Sequence, residues 1–188
     1  MRGLRSESWP LAVALWVAVA APAQAELRLS DLAVYLNDHE VTVHVVAVGA
    51  LPATFHEPIQ SGIPAHVRFT TELWQYHSGW RDRLLTTRLV ERHLSYNVVT
   101  KEYRVTFLKG ESRPVYATRD LRDAQRVLSE LRAVKLSPAA DLDVDAVIYV
   151  RVLAETALKG ENTFLTRLAG AAEQTLLQSE YRTLKRVQ

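Results

Sequence analysis

Hydrophobic and polar residues alternate along much of the chain between residues 26 and 116, which is the period of a β-strand with one buried face. The alternation is clearest over residues 65–73, which are therefore predicted to form a half-buried strand. Residues 41–48 are apolar at nearly every position, and this pattern predicts a strand covered on both faces. Residues 146–154 show a similar pattern and form another predicted strand.

Two further alternating runs lie close together, at residues 94–98 and 103–107. The short link Val99-Thr100-Lys101 joins them. Two strands with so short a connection are predicted to pair as an antiparallel hairpin.

A helical period replaces the alternation after residue 118. Asp120 or Thr118 is a suitable N-cap, and Ser137-Pro138 is expected to end the helical region. The predicted apolar stripe consists of Leu121, Ala124, Leu128 and Leu131, supported by Val127 and Val134.

A second helical segment is predicted over about residues 162–178. Its aligned apolar positions are Leu165, Leu168, Ala172 and Leu176. Packing of this amphipathic helix on a sheet is the favoured interpretation, and docking to a partner or to a membrane surface is the alternative. Residues 54–60 are expected to form a short helical connection.

Many antiparallel strands without a βαβ rhythm indicate a mainly β, or α+β, fold. We expect an antiparallel β-sandwich-like core with one inserted helix and a C-terminal helix. The sequence has no internal repeat and no evident linker, so residues 26–188 are interpreted as a single domain.

The first 25 residues have the pattern of a signal peptide. Arg2 and Arg5 precede an apolar run over residues 11–21, and Ala23-Gln24-Ala25 supplies a small-x-small cleavage site. We expect cleavage after Ala25 and a periplasmic mature protein. No later stretch approaches the ~20 apolar residues of a membrane helix, so the mature chain is not expected to span a membrane.

Charge and cysteine content exclude several classes of protein. The 188 residues include 23 basic and 21 acidic ones, and this near balance argues against a nucleic-acid-binding protein. There is no cysteine, which excludes disulfides, thiol catalysis and a lipid-anchored N-terminal cysteine.

No motif indicates an enzyme. The sequence has no HExxH pattern, no Gly-x-Ser-x-Gly elbow and no phosphate-binding glycine loop. We therefore predict no catalytic residue, no cofactor and no metal site. If a metal were bound, His66 and His77 with Glu72 would be the favoured ligands, although His77 is expected on the opposite strand face.

Asp141, Asp143 and Asp145 alternate and would share one strand face, where they could gather a calcium ion. The spacing lacks the glycine and the distal glutamate of a calcium-binding loop. A solvated entry into the strand that follows is the favoured interpretation.

The best candidates for binding are aromatic residues on the polar face of the strand that is predicted to begin at residue 65. Trp74 and Tyr76 share the face that carries Arg68, and Trp80 follows in a turn. Tryptophan beside charge is common at interaction sites. The alternative is that another layer covers this face and buries both rings, with Arg81 and Asp82 forming an ion pair at the turn.

An ordered set of short motifs resembles an exported proteobacterial family, known as a domain of unknown function and numbered forty-three ninety. The likeness covers roughly residues 27–158. The motifs that carry it are Ile59-Gln60-Ser61-Gly62-Ile63-Pro64, Glu72-Leu73-Trp74, Trp80-Arg81-Asp82, Leu94-Ser95-Tyr96-Asn97, Thr100, Tyr103-Arg104, Tyr116-Ala117-Thr118, Leu121 and Ala124.

The resemblance implies no activity, cofactor or catalytic residue, because none is established for the family. Its members are often encoded beside a sensor kinase of the nitrogen-regulation type, which implies a role in envelope signalling. From Asn162 onwards the sequence departs from the family's tryptophan-containing ending.

The sequence therefore predicts a non-enzymatic envelope protein that interacts with another protein, with a membrane sensor kinase as one candidate partner. The residues expected at the interaction surface are Arg68, Trp74, Tyr76 and Trp80. The alternative is a carrier of a lipid or another hydrophobic small molecule, which would need an enclosed apolar cavity.

Overall fold

A computed structural model describes residues 26–37, 39–143, 145–158, 164–169 and 171–183. The predicted signal peptide lies outside these residues. The strands are β1 (Arg28–Leu36), β2 (Glu40–Val48), β3 (Ala65–Gln75), β4 (Arg83–Asn97), β5 (Glu102–Lys109), β6 (Tyr116–Thr118), β7 (Glu130–Pro138), β8 (Val147–Leu158), β9 (Ala172–Gln178) and β10 (Arg182–Thr183). The helices are α1 (Ala53–Gln60), α2 (Leu121–Ser129) and α3 (Phe164–Leu168), with a 3-10 turn at Ala139–Asp141.

The strands form two antiparallel sheets. Sheet A has the order β1-β2-β7, and sheet B has the order β10-β8-β3-β4-β5-β6, with β9 also paired to β8. Both sheets contribute to one hydrophobic core. This arrangement confirms the expected mainly β, sandwich-like fold.

Alternation decides which side chains enter the core. In β3 the side chains of Val67, Phe69, Thr71 and Leu73 are fully buried, and the residues that alternate with them are only partly buried. Strand β2 shows the same pattern, with Val41, Val43 and Val45 in the core. The expectation that β2 is covered on both faces is therefore wrong, because its second face stays partly exposed.

The predicted hairpin and the first short helix are confirmed. Strands β4 and β5 pair in register on both sides of the turn at 98–101, where the Asn97 side chain accepts hydrogen bonds from the amides of Val99 and Thr100. Helix α1 places Phe55 and Ile59 in the core.

Helix α2 begins as predicted but ends early. Asp120 is its N-cap and accepts a 2.9 Å hydrogen bond from the amide of Arg122. The helix stops at Ser129, whereas the sequence predicted helix as far as Ser137-Pro138. Residues 130–138 instead form β7 and pair with β2 at six positions, with irregularities in the register at two places, because the edge of β2 offers them backbone partners.

The predicted C-terminal helix over residues 162–178 is also largely wrong. Among the described residues of this range, Phe164–Leu168 are helical and Ala172–Gln178 form β9 along the edge of β8. The apolar stripe is not buried as a unit, since Leu168 and Leu176 are both exposed. Backbone pairing with β8 therefore outweighs the helical spacing of the leucines.

The structure does not place Asp141, Asp143 and Asp145 on one strand face. Asp141 ends the 3-10 turn, and Asp145 has a left-handed backbone with a φ of 62°. None of the helices among the described residues has the length and hydrophobicity of a membrane-spanning segment.

Candidate functional site

The outer face of sheet B carries the candidate site. Because β3 directs its odd-numbered side chains into the core, its even-numbered side chains lie on the opposite face. Strand register then places Trp74 beside Tyr149 of β8 and His66 beside His93 of β4. Arg68 lies between Glu91 of β4 and a glutamate of β8.

Trp74 is held rigidly by its neighbours. Its indole stacks nearly parallel to the ring of Tyr149, with centroids 6.4 Å apart, and its Nε1 donates a 2.8 Å hydrogen bond to Glu72. The guanidinium of Arg151 lies 5.0 Å from the indole and 5.4 Å from the Tyr149 ring. The indole is half-buried, so it is neither freely exposed nor covered as the alternative interpretation expected.

Two more tyrosines extend this group towards solvent. The Tyr181 ring packs edge-on against both Tyr149 and Tyr76, with centroids 5.1 and 5.2 Å apart. Tyr76 is 42 % exposed and Tyr181 is 54 % exposed. Tyr181 was missed by the sequence analysis, because it follows a segment predicted as helix, and only the strand pairing of β9 and β10 brings it back to this place.

Trp80 is the most exposed aromatic residue of the group, with 84 % of its surface open to solvent. It follows a turn at Ser78-Gly79, and its amide donates a weak 3.4 Å hydrogen bond to the carbonyl of His77. The structure therefore presents this indole without using it in the core. We call the set formed by Trp74, Tyr76, Trp80, Tyr149, Arg151 and Tyr181 the aromatic end.

Asp82 fixes the turn to the sheet. One carboxylate oxygen accepts a 2.7 Å hydrogen bond from the Tyr149 hydroxyl, and the other accepts a 3.2 Å bond from the amide of His77. Asp82 therefore holds the turn through these two hydrogen bonds, and not through the predicted ion pair with Arg81. Burial and the hydrogen bond to Asp82 raise the pKa of Tyr149 to about 12. The hydroxyl therefore keeps its proton at neutral pH and remains a donor.

Arg68 does not belong to the aromatic end. It lies six residues before Trp74 on the same strand, which at ~3.3 Å per residue is roughly 20 Å away. Its guanidinium forms an ion pair with Glu91 at 3.8 Å. The structure thus joins Trp74 and Tyr76, places Trp80 in the adjoining turn, and separates Arg68 from them.

A second cluster occupies the region around Arg68. His66, Glu91 and His93 each offer a ligand atom, and these atoms lie within 4.8 Å of one another. The two imidazoles meet edge-on, with ring centroids 3.6 Å apart. The sequence favoured His66 with His77 and Glu72, but Glu72 binds the Trp74 indole instead. The pairing with His93 depends on the register of β3 and β4, which no periodicity reveals.

Burial favours the neutral form of both histidines. Burial lowers the pKa of His66, and the nearby His93 and Arg68 lower it further, while Glu91 acts in the opposite direction. Burial also lowers the pKa of His93 against the effect of Glu91. Both side chains therefore have an unprotonated nitrogen at neutral pH.

An open groove of about 480 Å³ lies between the β4–β5 side of sheet B and strand β7 of sheet A. Charged side chains line much of it, namely Arg88, Glu111, Arg132 and Lys135. Such a lining does not suit a lipid chain. This groove therefore gives no support to the carrier alternative.

The fold and this outer face define an antiparallel β-sandwich protein with an aromatic end. A family model described as "Domain of unknown function (DUF4390)" matches residues 24–181, which is most of the chain. The chain belongs to this family, as the sequence motifs indicated, and the match extends beyond the predicted range into β9 and Tyr181. No curated protein and no solved structure matches the chain.

Proposed function

We propose that this protein is a non-enzymatic interaction module of the cell envelope, which binds a protein partner through the aromatic end. The observation that supports this proposal is the exposure of Trp80, Tyr76 and Tyr181. They lie beside the stacked rings of Trp74 and Tyr149. Tryptophan, tyrosine and arginine dominate the binding energy of protein interfaces, and the aromatic end contains all three.

The aromatic end is also preorganised for binding. Trp74 is fixed by Glu72 and Arg151, while Tyr149 is fixed by Asp82. Side chains that are ordered before association lose little conformational entropy in the complex. A partner would therefore gain contact with the Trp74 indole at a small ordering cost.

The cell-envelope location rests on the predicted signal peptide, and the partner class rests on the family resemblance. A membrane sensor kinase with a domain outside the cytoplasm is our candidate partner. Arg151 beside Trp74 favours a partner surface that offers a carboxylate next to an apolar pocket.

The proposal is tested by photocrosslinking in living cells. A photoreactive amino acid replaces Trp80 in one strain and Val99 in a matched control strain. Val99 is 86 % exposed and lies in the β4–β5 turn, at the opposite end of β4. We expect one envelope protein to crosslink from position 80 and not from position 99.

The same experiment is repeated with Tyr76→Ala and Tyr181→Ala in the chain that carries the crosslinker at position 80. We expect the crosslink to weaken strongly while the thermal melting of the protein is nearly unchanged, because both rings are partly exposed. Equal crosslinking from positions 80 and 99 would contradict the proposal. Co-purification of a stoichiometric lipid without a protein crosslink would support the carrier instead.

A further inference from the structure

The cluster of His66, Glu91 and His93 has the chemistry of a metal site, although the sequence predicted none. We propose that these three side chains bind one divalent transition-metal ion of the zinc type on the outer face of sheet B. Two imidazoles and one carboxylate form a ligand set that suits zinc and leaves a fourth position open for water or for a partner's side chain.

Strand geometry holds the three ligands together. Glu91 and His93 are separated by one residue on β4, so they share a face, and His66 lies directly opposite His93 on β3. Backbone pairing on both sides of β3 fixes this register. The ligands are therefore positioned by the central part of the sheet and not by a loop.

The ligand atoms of the three side chains would have to move only a little closer together to bind a metal ion. The ligand atoms lie within 4.8 Å of one another, and Nε2 of His93 is 3.9 Å from Glu91. Ligands of a tetrahedral zinc ion at ~2.1 Å from the metal lie ~3.4 Å apart. Small side-chain rotations would bring the three ligand atoms from their present spacing to this one.

Within the described part of the chain, no short hydrogen bond occupies the ligand atoms of His93 and Glu91. Among the described residues, buried Nε2 of His93 has no hydrogen-bond partner, which is costly unless something else approaches it. Glu91 contacts Arg68, His93 and Lys109 only at 3.8–3.9 Å, which is longer than a hydrogen bond. A metal ion would therefore not have to break a short bond at either residue.

Arg68 and Lys109 place positive charge near the proposed metal ion. This charge would repel the ion unless it is balanced or screened. Arg68 is paired in register with Glu155 on β8 as well as with Glu91 on β4. A shift of its guanidinium towards Glu155 would release Glu91 for the metal and keep Arg68 beside a carboxylate. Lys109 is well exposed, so water screens its charge.

The test uses the mature chain without a histidine tag and measures zinc binding by isothermal titration calorimetry. We expect one zinc ion per chain, and affinity about tenfold or more weaker in each of His66→Gln, Glu91→Gln and His93→Gln. His39→Gln is the matched control, because His39 is exposed in the β1–β2 turn of sheet A and does not lie on sheet B. Its affinity should equal that of the unchanged chain.

Cobalt provides a readout of the ligands themselves. Co²⁺ at a site with two imidazoles gives a visible absorption spectrum, which should be lost in the double variant His66→Gln, His93→Gln. Circular dichroism checks that this variant is folded, and Glu91→Gln provides an independent single-site test if it is not. Absence of saturable zinc binding, or equal binding by the unchanged chain and Glu91→Gln, would overturn the proposal.

Discussion

Arg92 and Glu111 are joined by two parallel hydrogen bonds, from Nε to Oε2 at 2.6 Å and from Nη2 to Oε1 at 2.7 Å. Arg92 is fully buried, and its Nη1 donates to the carbonyls of Val127 at 2.6 Å and Glu130 at 2.8 Å. These carbonyls lie where α2 ends and β7 begins. One arginine of sheet B therefore satisfies the backbone of the helix-to-strand junction.

Arg92→Ala should lower the free energy of unfolding by about 3–5 kcal/mol, because it leaves buried carbonyls and a carboxylate without their donor. Arg92→Lys should recover only part of this loss, since an ammonium cannot make the two parallel bonds. Urea unfolding measures both values. Arg88→Ala, at an exposed position of the same strand, is the control and should change stability by less than ~0.5 kcal/mol. A loss under ~1 kcal/mol for Arg92→Ala would contradict this role.

Gly110 should tolerate no side chain. A Cβ there would overlap the carbonyl oxygen of Leu89 and lie 2.9 Å from Cγ2 of Val90, and the backbone φ is +77°. Gly79 has a similar φ of +80° but open space around it. We expect Gly79→Ala to cost ~1 kcal/mol from the backbone alone and Gly110→Ala to cost at least ~2 kcal/mol. Thermal or urea unfolding compares the two, and equal losses would show that the Leu89 contact is unimportant.

Loss of the proton from the Tyr149 hydroxyl should make the protein less stable at alkaline pH. Its pKa is about 12 in the folded state and about 10 in the unfolded chain, so the folded state retains a proton that the unfolded chain releases. The resulting stabilisation is fully present below pH ~10 and is lost as the pH rises to ~12.

The measurement is urea unfolding at several alkaline pH values for the unchanged chain and for Tyr149→Phe. The variant should be less stable by ~1 kcal/mol at neutral pH, since the bond to Asp82 is missing, and its stability should fall less steeply between pH 10 and 12. Tyr35→Phe, at an exposed position, serves as the control. Identical alkaline slopes for Tyr149→Phe and the unchanged chain would disprove the assignment.

The hydroxyl of Thr156 should contribute to the stability of the fold, in addition to the volume of the side chain. The buried Oγ1 donates a 2.8 Å hydrogen bond to the carbonyl of Ala50, which links β8 to the segment before α1. Thr156→Val keeps the volume and leaves this buried carbonyl unpaired, so it should cost ~1–3 kcal/mol. Thr87→Val, on an exposed strand position, should change stability little. Similar unfolding curves for both variants would count against the bond.

The strands that alternate strictly could be predicted from the sequence, and β3 is the clearest case. Leu131 could not be placed in the same way, because it continues the helical stripe of Leu128 and also fits a strand beside β2. Leu176 was misleading for a related reason: it has helical spacing but is exposed on β9. In both segments an unpaired strand edge elsewhere in the fold decided the outcome, and periodicity within a segment contains no information about such an edge.

The candidate site was predicted in part. Trp74, Tyr76 and Trp80 could be recognised as aromatic residues near the end of one strand. The contributions of Tyr149 and Tyr181 depend on which strands become neighbours. The same is true of the pairing between His66 and His93, which is set by register alone. Local sequence therefore indicated the residue types of the site but not which of them would meet.

The position of β3 has a consequence for how the chain reaches its folded state. Pairing between β3 and β4 is nearly local, but β3 also pairs with β8, joining Ala65 to Leu158 and Gln75 to Ile148. Until β8 pairs with it, the strand that becomes the middle of sheet B has one edge without a partner. Contacts between segments so far apart form slowly, and an open strand edge invites pairing with other chains. A chain in which β8 is not yet paired therefore exposes an edge of β3 that favours aggregation.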